Sequence, residues 1–304
     1  MRTNFASAAD IEQCRQIHKK FGTTYYYSSL RFPKRIQWRV HAIYAFVRVP
    51  DEWVDNPGEL TNDGRLALLR DWRDQMVRGL KGERPEHFAM RAFCDAATES
   101  RIPVEEMMLF LDAMEMDITK SRYETYEELR DYMRGSASAI GVMMCYAMCA
   151  RTDYDTIARA KALGEAMQLT NFLRDINEDF ERGRIYMPLE DMRRFGVTEA
   201  ALKSKIVSRE FVELMKFEIE RARGLYLNSD FGIYKLPPKM RKAVLLSRLL
   251  YSQILNRIEA QQYDVFRQRA RTNAFHKAIC AVKVIAMDKQ ILTKLVADSG
   301  VTIP

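Results

Sequence analysis

The stretch Gln168–Pro188, QLTNFLRDINEDFERGRIYMP, decides how the rest of the chain is read. Asn171, Asp175 and Asp179 recur every four residues within it, and Glu178 sits beside the last. On a helix that spacing stacks an amide and two carboxylates along one face. Leu169, Phe172, Leu173 and Ile176 supply an apolar face, so the helix is expected to be packed and not free in solvent. Arg174, Arg182 and Arg184 flank the acids. Carboxylates and guanidinium groups together fit poorly in an oily core. They fit well around a divalent cation that holds a phosphorylated ligand. Mg²⁺ takes oxygen donors, usually one or two carboxylates plus substrate phosphates. Arginine forks then take the remaining phosphate oxygens.

A second acidic cluster stands at Asp51-Glu52-Trp53-Val54-Asp55. Its two aspartates are again four apart on an expected helix, with Arg48 one turn before Asp51. A lone D-x-x-x-D usually marks nothing more than a solvated helix face. Two such clusters, each on an apolar-faced helix and each with arginines in the same or the adjacent turn, point elsewhere. Facing one another across a cavity, they would hold several Mg²⁺ ions and a diphosphate between them. Diphosphate is a good leaving group once its charge is neutralised. Its departure from an allylic carbon leaves a carbocation, which needs an apolar, aromatic-lined cavity closed to water. The chain has many Tyr, Phe and Met residues on its expected core faces; most of them are core, and a few would line such a cavity.

Around these clusters the apolar pattern has a period near 3.6 almost throughout, with few β-branched runs. Helices are expected over Ala8–Phe21, Arg35–Val49 (with Asp51 and Asp55 toward its end), Leu66–Leu80, Glu86–Glu99 and Val104–Lys120. Further helices are expected over Thr125–Cys149, Thr156–Phe180, Glu199–Lys205, Glu210–Leu227, Pro237–Gln262 and Phe275–Ala297. GTTYYYSSLRFP, ended by Pro33, reads as a polar-aromatic connector, and Arg182–Gly196 as an irregular one. Thr125 followed by Glu128 fits a capping box. The small residues Gly135, Ser136, Ala137, Ser138, Ala139 and Gly141 let another backbone or a ligand approach closely; both readings stay open. No strand and no composition break is evident. The expected architecture is all-α, one helical domain over residues 1–304.

Composition narrows the function classes. The formal charge of +7 and pI of about 9.1 suit an anionic substrate, an acidic membrane surface or nucleic acid. No aromatic-basic RNA signature or zinc-finger spacing is present, so nucleic acid ranks last. The five cysteines are odd in number and scattered, as expected for reduced thiols in a cytoplasmic protein. Cys145 and Cys149 share a helix face, but a buried cysteine usually behaves as a small hydrophobe and not as a metal ligand. The N-terminal residues have no apolar signal region, and no stretch approaches the roughly 20 apolar residues of a membrane span. The amphipathic segment Phe275–Leu295, with four lysines, offers peripheral membrane contact or ordinary terminal packing.

Four stretches, taken in order, carry a resemblance: HAIYAFVRVPDEWVDNP, YMRGSASAIGVMM, QLTNFLRDINEDFERGRIYMP and YSQILNRIEAQQYDVFRQRA. Together they resemble the phytoene/squalene synthase family of head-to-head isoprenoid synthases, from about Cys14 to about Lys277. GTTYYYSSLRFP and YMRGSA are most similar to its prokaryotic phytoene-forming branch. The resemblance implies an isoprenoid synthase helical bundle around a deep central cavity. It implies condensation of two prenyl diphosphates through a cyclopropyl diphosphate. The substrate would be geranylgeranyl diphosphate and the product phytoene, the first committed step of carotenoid formation. A C30 alternative would make dehydrosqualene or squalene from farnesyl diphosphate. A non-catalytic homologue is a third reading, against which the intact acids and arginines count.

Carried over residue by residue, the resemblance assigns Asp51 and Asp55 to the first metal motif and Asn171, Asp175 and Asp179 to the second. These would hold Mg²⁺, with Mn²⁺ as a substitute, and no NADPH is expected. Arg48 and Arg174 would contact phosphate. Tyr44, Tyr132, Gln168 and Tyr251 fall near the reacting centre, Tyr132 as a residue for cation stabilisation or proton handling. Thr24 and Tyr25 fall beside a diphosphate, and Arg269 is a further phosphate contact. Two positions depart from the family pattern: Glu52 stands where many members have Asp, and Ile176-Asn177 replace a Val-Gly-like pair.

Overall fold

Helix-forming signals and their packing partners set the architecture in the computed structural model, which describes residues 4–148, 152–273 and 278–284. Among the described residues there is no strand. The helices run α1 (Ala8–Phe21), α2 (Thr23–Ser29), α3 (Lys34–Asp55), α4 (Asn62–Leu80), α5 (Phe88–Ser100), α6 (Val104–Thr119) and α7 (Tyr126–Met133). They continue as α8 (Ala139–Ala147), α9 (Tyr154–Arg174), α10 (Ile176–Glu181), α11 (Leu189–Arg194), α12 (Glu199–Ser204), α13 (Arg209–Lys235) and α14 (Pro238–Ala260). Short polar side chains start many of them. Ser7 and Asp10 form a capping box on α1, and Asp153, Thr198 and Ser208 cap α9, α12 and α13. Thr125 caps α7 as expected; the reciprocal arm differs, because the Glu128 carboxylate accepts from the Glu124 N–H and not from that of Thr125.

Several expected boundaries move. The GTTYYYSSLRFP connector folds as α2, packed on α14; tertiary packing overrides the weak helix preference of Thr and Tyr. The second helix passes through Pro50 and reaches Asp55, with Arg48 bonded across it to Asp51 and Glu52. The irregular connector contains α11, and α13 runs on to Lys235. The expected helix over Thr125–Cys149 is divided by a π-helical turn at Arg134–Ser138; its last residues, including Cys149, lie outside the described residues. Most of the expected last helix, Phe275–Ala297, is outside them too, and residues 278–284 of it are helical. The described cysteines Cys14, Cys94, Cys145 and Cys280 are all buried. No helix among the described residues is long and apolar enough to cross a membrane.

α9 is the central post. It pairs most extensively with α13 and also packs on α14, α8 and the π-turn. Glycines bring its backbone against α8 and the π-turn: a Cβ at Gly141 would lie 2.4 Å from the Ala160 carbonyl oxygen, and one at Gly164 2.5 Å from that of Ala137. Tight packing is therefore one use of the small-residue run. The other is that Ser136, Ala137 and Gly141 also face an internal cavity. Alanine normally improves a helix interior by roughly 1 kcal/mol over glycine. Gly164→Ala is expected to do the opposite, lowering stability by about 1–3 kcal/mol through backbone collision. A melting temperature at or above wild type would refute the close approach.

Candidate functional site

Two cavities meet inside the bundle. One is polar, about 630 Å³, and lies between the C-terminal part of α3, the α9–α10 junction and the residues after α14. Every residue assigned from sequence except Tyr25 lines it: Thr24, Tyr44, Arg48, Asp51, Asp55, Tyr132, Gln168, Asn171, Arg174, Asp175, Asp179, Tyr251 and Arg269. The other is apolar, about 300 Å³, walled by α2, α3, α8, α9, α13 and α14, with Tyr25, Ile140, Met144, Cys145, Met148 and Met167 in its lining. Tyr44, Gln168, Asn171 and Tyr251 line both, which makes them the junction.

The second acidic motif is not one straight helix. The helix stops at Arg174 and restarts at Ile176, with Asp175 between them at φ −105° and ψ 14°. Consecutive side chains on an α-helix do not face each other. Here the Arg174 guanidinium donates two bonds to the neighbouring Asp175 carboxylate, at 2.7 and 2.6 Å, and the break accompanies that pairing. Arg269, 94 residues further on, grips the same carboxylate at 2.7 and 2.8 Å. Burial pushes Asp175 upward, but the two arginines prevail and hold it below the usual carboxylate range. Across the cavity Asp55 accepts from Arg184 at 2.5 Å, and Arg182 stands 3.7 Å away. The arginines after the second motif thus reach the first.

Pairing does not neutralise every acid. Burial, then Asp55, pushes Asp51 up to about 7 despite Arg48. Burial, then Asp175 and Asp55, pushes Asp179 up to about 8. Among the described residues no three acidic, His or Cys side chains converge as a ready-made metal cage. The donors are hard oxygens, and two of them resist ionisation because they are buried and other carboxylates stand close by. That excess of negative charge is what a hard divalent cation relieves, so the donor set fits Mg²⁺.

Sequence reading missed Asp117, on α6. Its buried carboxylate accepts from Tyr132 Oη at 2.7 Å and Tyr186 Oη at 2.9 Å, and it lines the polar cavity. Burial pushes it above the ordinary carboxylate value. Its signal was positional: Met107, Phe110, Leu111, Met114 and Ile118 mark the buried face of α6, and Asp117 falls in that register. Tyr186 was missed as well; it stacks on Phe172 with centroids 4.1 Å apart and extends to Tyr132 at 5.7 Å.

The raised value at Asp179 carries a sign. A carboxyl whose folded pKa exceeds its unfolded one favours the native state at low pH and loses that contribution as pH rises, here from about 4 to about 8. Asp179→Asn should therefore melt above wild type at pH 8 in chelator, with the gap closing at pH 5. Equal melting at pH 8 would contradict the unrelieved repulsion.

The model of the squalene/phytoene synthase family matches residues 18–276. The phytoene synthase of Arthrospira platensis is 35% identical over 92% of this chain and 94% of that protein. The 15-cis-phytoene synthase of Synechococcus elongatus is 32% identical with the same coverage. Among solved structures, a ligand-bound dehydrosqualene synthase superposes with a TM-score of 0.86 at 29% identity, over 93% of this chain and 97% of that one. Squalene synthase HpnC from Alicyclobacillus acidocaldarius gives 0.76 at 27% identity, over 84% and 95%. With its acids and arginines on one cavity and this match over most of its length, the chain belongs to the squalene/phytoene synthase family of prenyltransferases.

Proposed function

We propose that this chain is a phytoene synthase, working as one helical unit that joins two geranylgeranyl diphosphates head to head. The observation that carries the reading is the junction itself: a cavity of acids and arginines shares Tyr44, Gln168, Asn171 and Tyr251 with a methionine-lined apolar one. A diphosphate head fits the first and a prenyl tail the second. The phytoene synthase names of relatives at 32–35% identity support this substrate over farnesyl diphosphate.

Asp51, Asp55, Asn171, Asp175 and Asp179 would hold Mg²⁺ or Mn²⁺. Such ions, when bound, supply the charge neutralisation that lets diphosphate leave. Arg48, Arg174 and Arg269, paired with acids in this structure, have forks suited to phosphate oxygens and would exchange partners when substrate enters. One substrate breaks its C–O bond and releases diphosphate. The resulting allylic cation is captured by the alkene of the second, which loses a proton to close a cyclopropyl diphosphate. That intermediate loses the second diphosphate, rearranges and gives up a proton to form phytoene, with no hydride needed. The aromatic group of Tyr132, Phe172 and Tyr186 would shield positive charge from water. Asp117 would hold the Tyr132 hydroxyl in place for proton handling. The product is wholly apolar, which supports peripheral contact with a membrane, on our reading from the cytoplasmic side; the amphipathic segment Phe275–Leu295 is largely outside the described residues.

Purified protein with Mg²⁺ and geranylgeranyl diphosphate should yield a C40 hydrocarbon without NADPH. A C30 product from farnesyl diphosphate would move the chain to the dehydrosqualene or squalene branch, and no hydrocarbon from either would overturn the reading. Asp51→Ala and Asp175→Ala should each lower turnover by at least roughly a hundredfold with helicity retained; wild-type rates in either would remove the acids from the mechanism. Tyr132→Phe and Asp117→Asn should fall in kcat by a similar factor if they act together, and the double variant should lose little more than either alone. Additive losses would separate them.

A further inference from the structure

Behind the junction sits a pair of histidines that the proposed reaction does not use. His18 on α1 is fully buried and His41 on α3 is 3% exposed. Their Nδ1 atoms are 2.9 Å apart, so one ring donates and the other accepts, and the pair shares one proton. Burial holds His18 well below the ordinary imidazole value and His41 down to about 4, so both rings are neutral at working pH. The Nε2 of His18 is buried without a hydrogen-bond partner. An orphan acceptor costs less than an orphan N–H, which makes His18 the Nδ1–H donor and His41 the acceptor.

The pair is built into the aromatic wall of the site. The His18 ring lies flat on Tyr44, with centroids 4.2 Å apart and planes within 16°. Tyr26 stacks on His41 at 5.7 Å, and its hydroxyl accepts from Arg15 at 2.6 Å. Tyr25, which lines the apolar cavity, lies tilted 5.2 Å from His18. Gly22 tightens the same spot: a Cβ there would come within 2.7 Å of Tyr44 Cε2 and Cζ and 2.8 Å of its hydroxyl oxygen. The backbone at Gly22 has φ −104°, so glycine is not needed there for its dihedral freedom; what it supplies is room for the Tyr44 ring.

We propose that His18 and His41 form an imidazole clamp that sets the plane of the Tyr44 ring where the diphosphate and prenyl cavities meet, which makes His18 a positioning residue for the condensation. The inference rests on the prenyl-transfer reading above. Stacking fixes the face of Tyr44, and the bond between the two Nδ1 atoms stops the His18 ring from turning under it. A ring left free at this point would admit non-reactive placements of the first prenyl carbon, a loss that falls on kcat more than on KM.

The test compares wild type, His18→Ala, His18→Phe and Gly22→Ala in steady-state assays with Mg²⁺ and geranylgeranyl diphosphate, alongside thermal melts. His18→Ala should lose roughly ten- to a hundredfold in kcat, with KM within about twofold of wild type. His18→Phe keeps a flat ring and should recover most of that loss. Gly22→Ala, which presses on Tyr44 and leaves the histidines in place, should also lower kcat by about tenfold or more. ¹⁵N-histidine spectra of the wild type should show His18 as the Nδ1–H tautomer. Folded His18→Ala at wild-type kcat, equal losses in His18→Ala and His18→Phe, or the other tautomer would overturn the clamp while leaving the prenyl-transfer reading intact. If His18→Ala fails to fold, Gly22→Ala at wild-type kcat overturns it. Wild type inactive on both prenyl diphosphates would instead overturn the functional reading, and the clamp with it.

Discussion

One guanidinium ties the site together. Arg184 is buried and donates to Asp55 at 2.5 Å and to the carbonyl oxygens of Val54 and Asp117 at 3.3 Å each. Those partners end α3 and α6, while Arg184 itself follows the second acidic motif. Its fork therefore sets the distance between the two acidic clusters, with the carboxylate of Asp117 held beside them. A lysine has one compact charge and cannot span three acceptors in fixed geometry. Removing Asp55 would leave the buried Arg184 guanidinium without its carboxylate, a loss larger than the net stabilisation the pair supplies.

Around that fixed point the electrostatics are deliberately unbalanced. Asp175 is held by two arginines, whereas burial and then neighbouring carboxylates make Asp51 and Asp179 resist ionisation. A site built for stability alone would have paired Asp179 and given Asp51 more than the single Arg48. Proteins commonly accept such local cost where chemistry needs it. The same acids that weaken the metal-free fold would let the site bind cations and diphosphate together and weakly bind either alone.

Much of this was legible in the sequence because two acidic clusters, each at a four-residue spacing and each with arginines nearby, fall on apolar-faced helices. The all-helical pattern was legible for the same reason: its period persists through most of the chain. What stayed hidden depends on where the chain returns in space. The break at Asp175 accompanies pairing with its own neighbour and with Arg269, far along the chain. Asp117 looked like one polar residue on an apolar helix until Tyr132 and Tyr186 were brought to it. α2 formed where Thr and Tyr favour extended backbone, because α14 lies across it.

The glycine seam between α8 and α9 has a further consequence. Where Gly141 and Gly164 bring backbone against backbone, the helices can neither close further nor separate without losing contact along the whole seam. The apolar cavity beside them is lined in part by Met144, Met148 and Met167, whose unbranched side chains re-pack at little cost. The chamber is a rigid hull with a compliant lining. On the prenyl-transfer reading its length for a hydrocarbon tail would be tuned one side chain at a time, while the hull keeps the acids and arginines at its mouth in register.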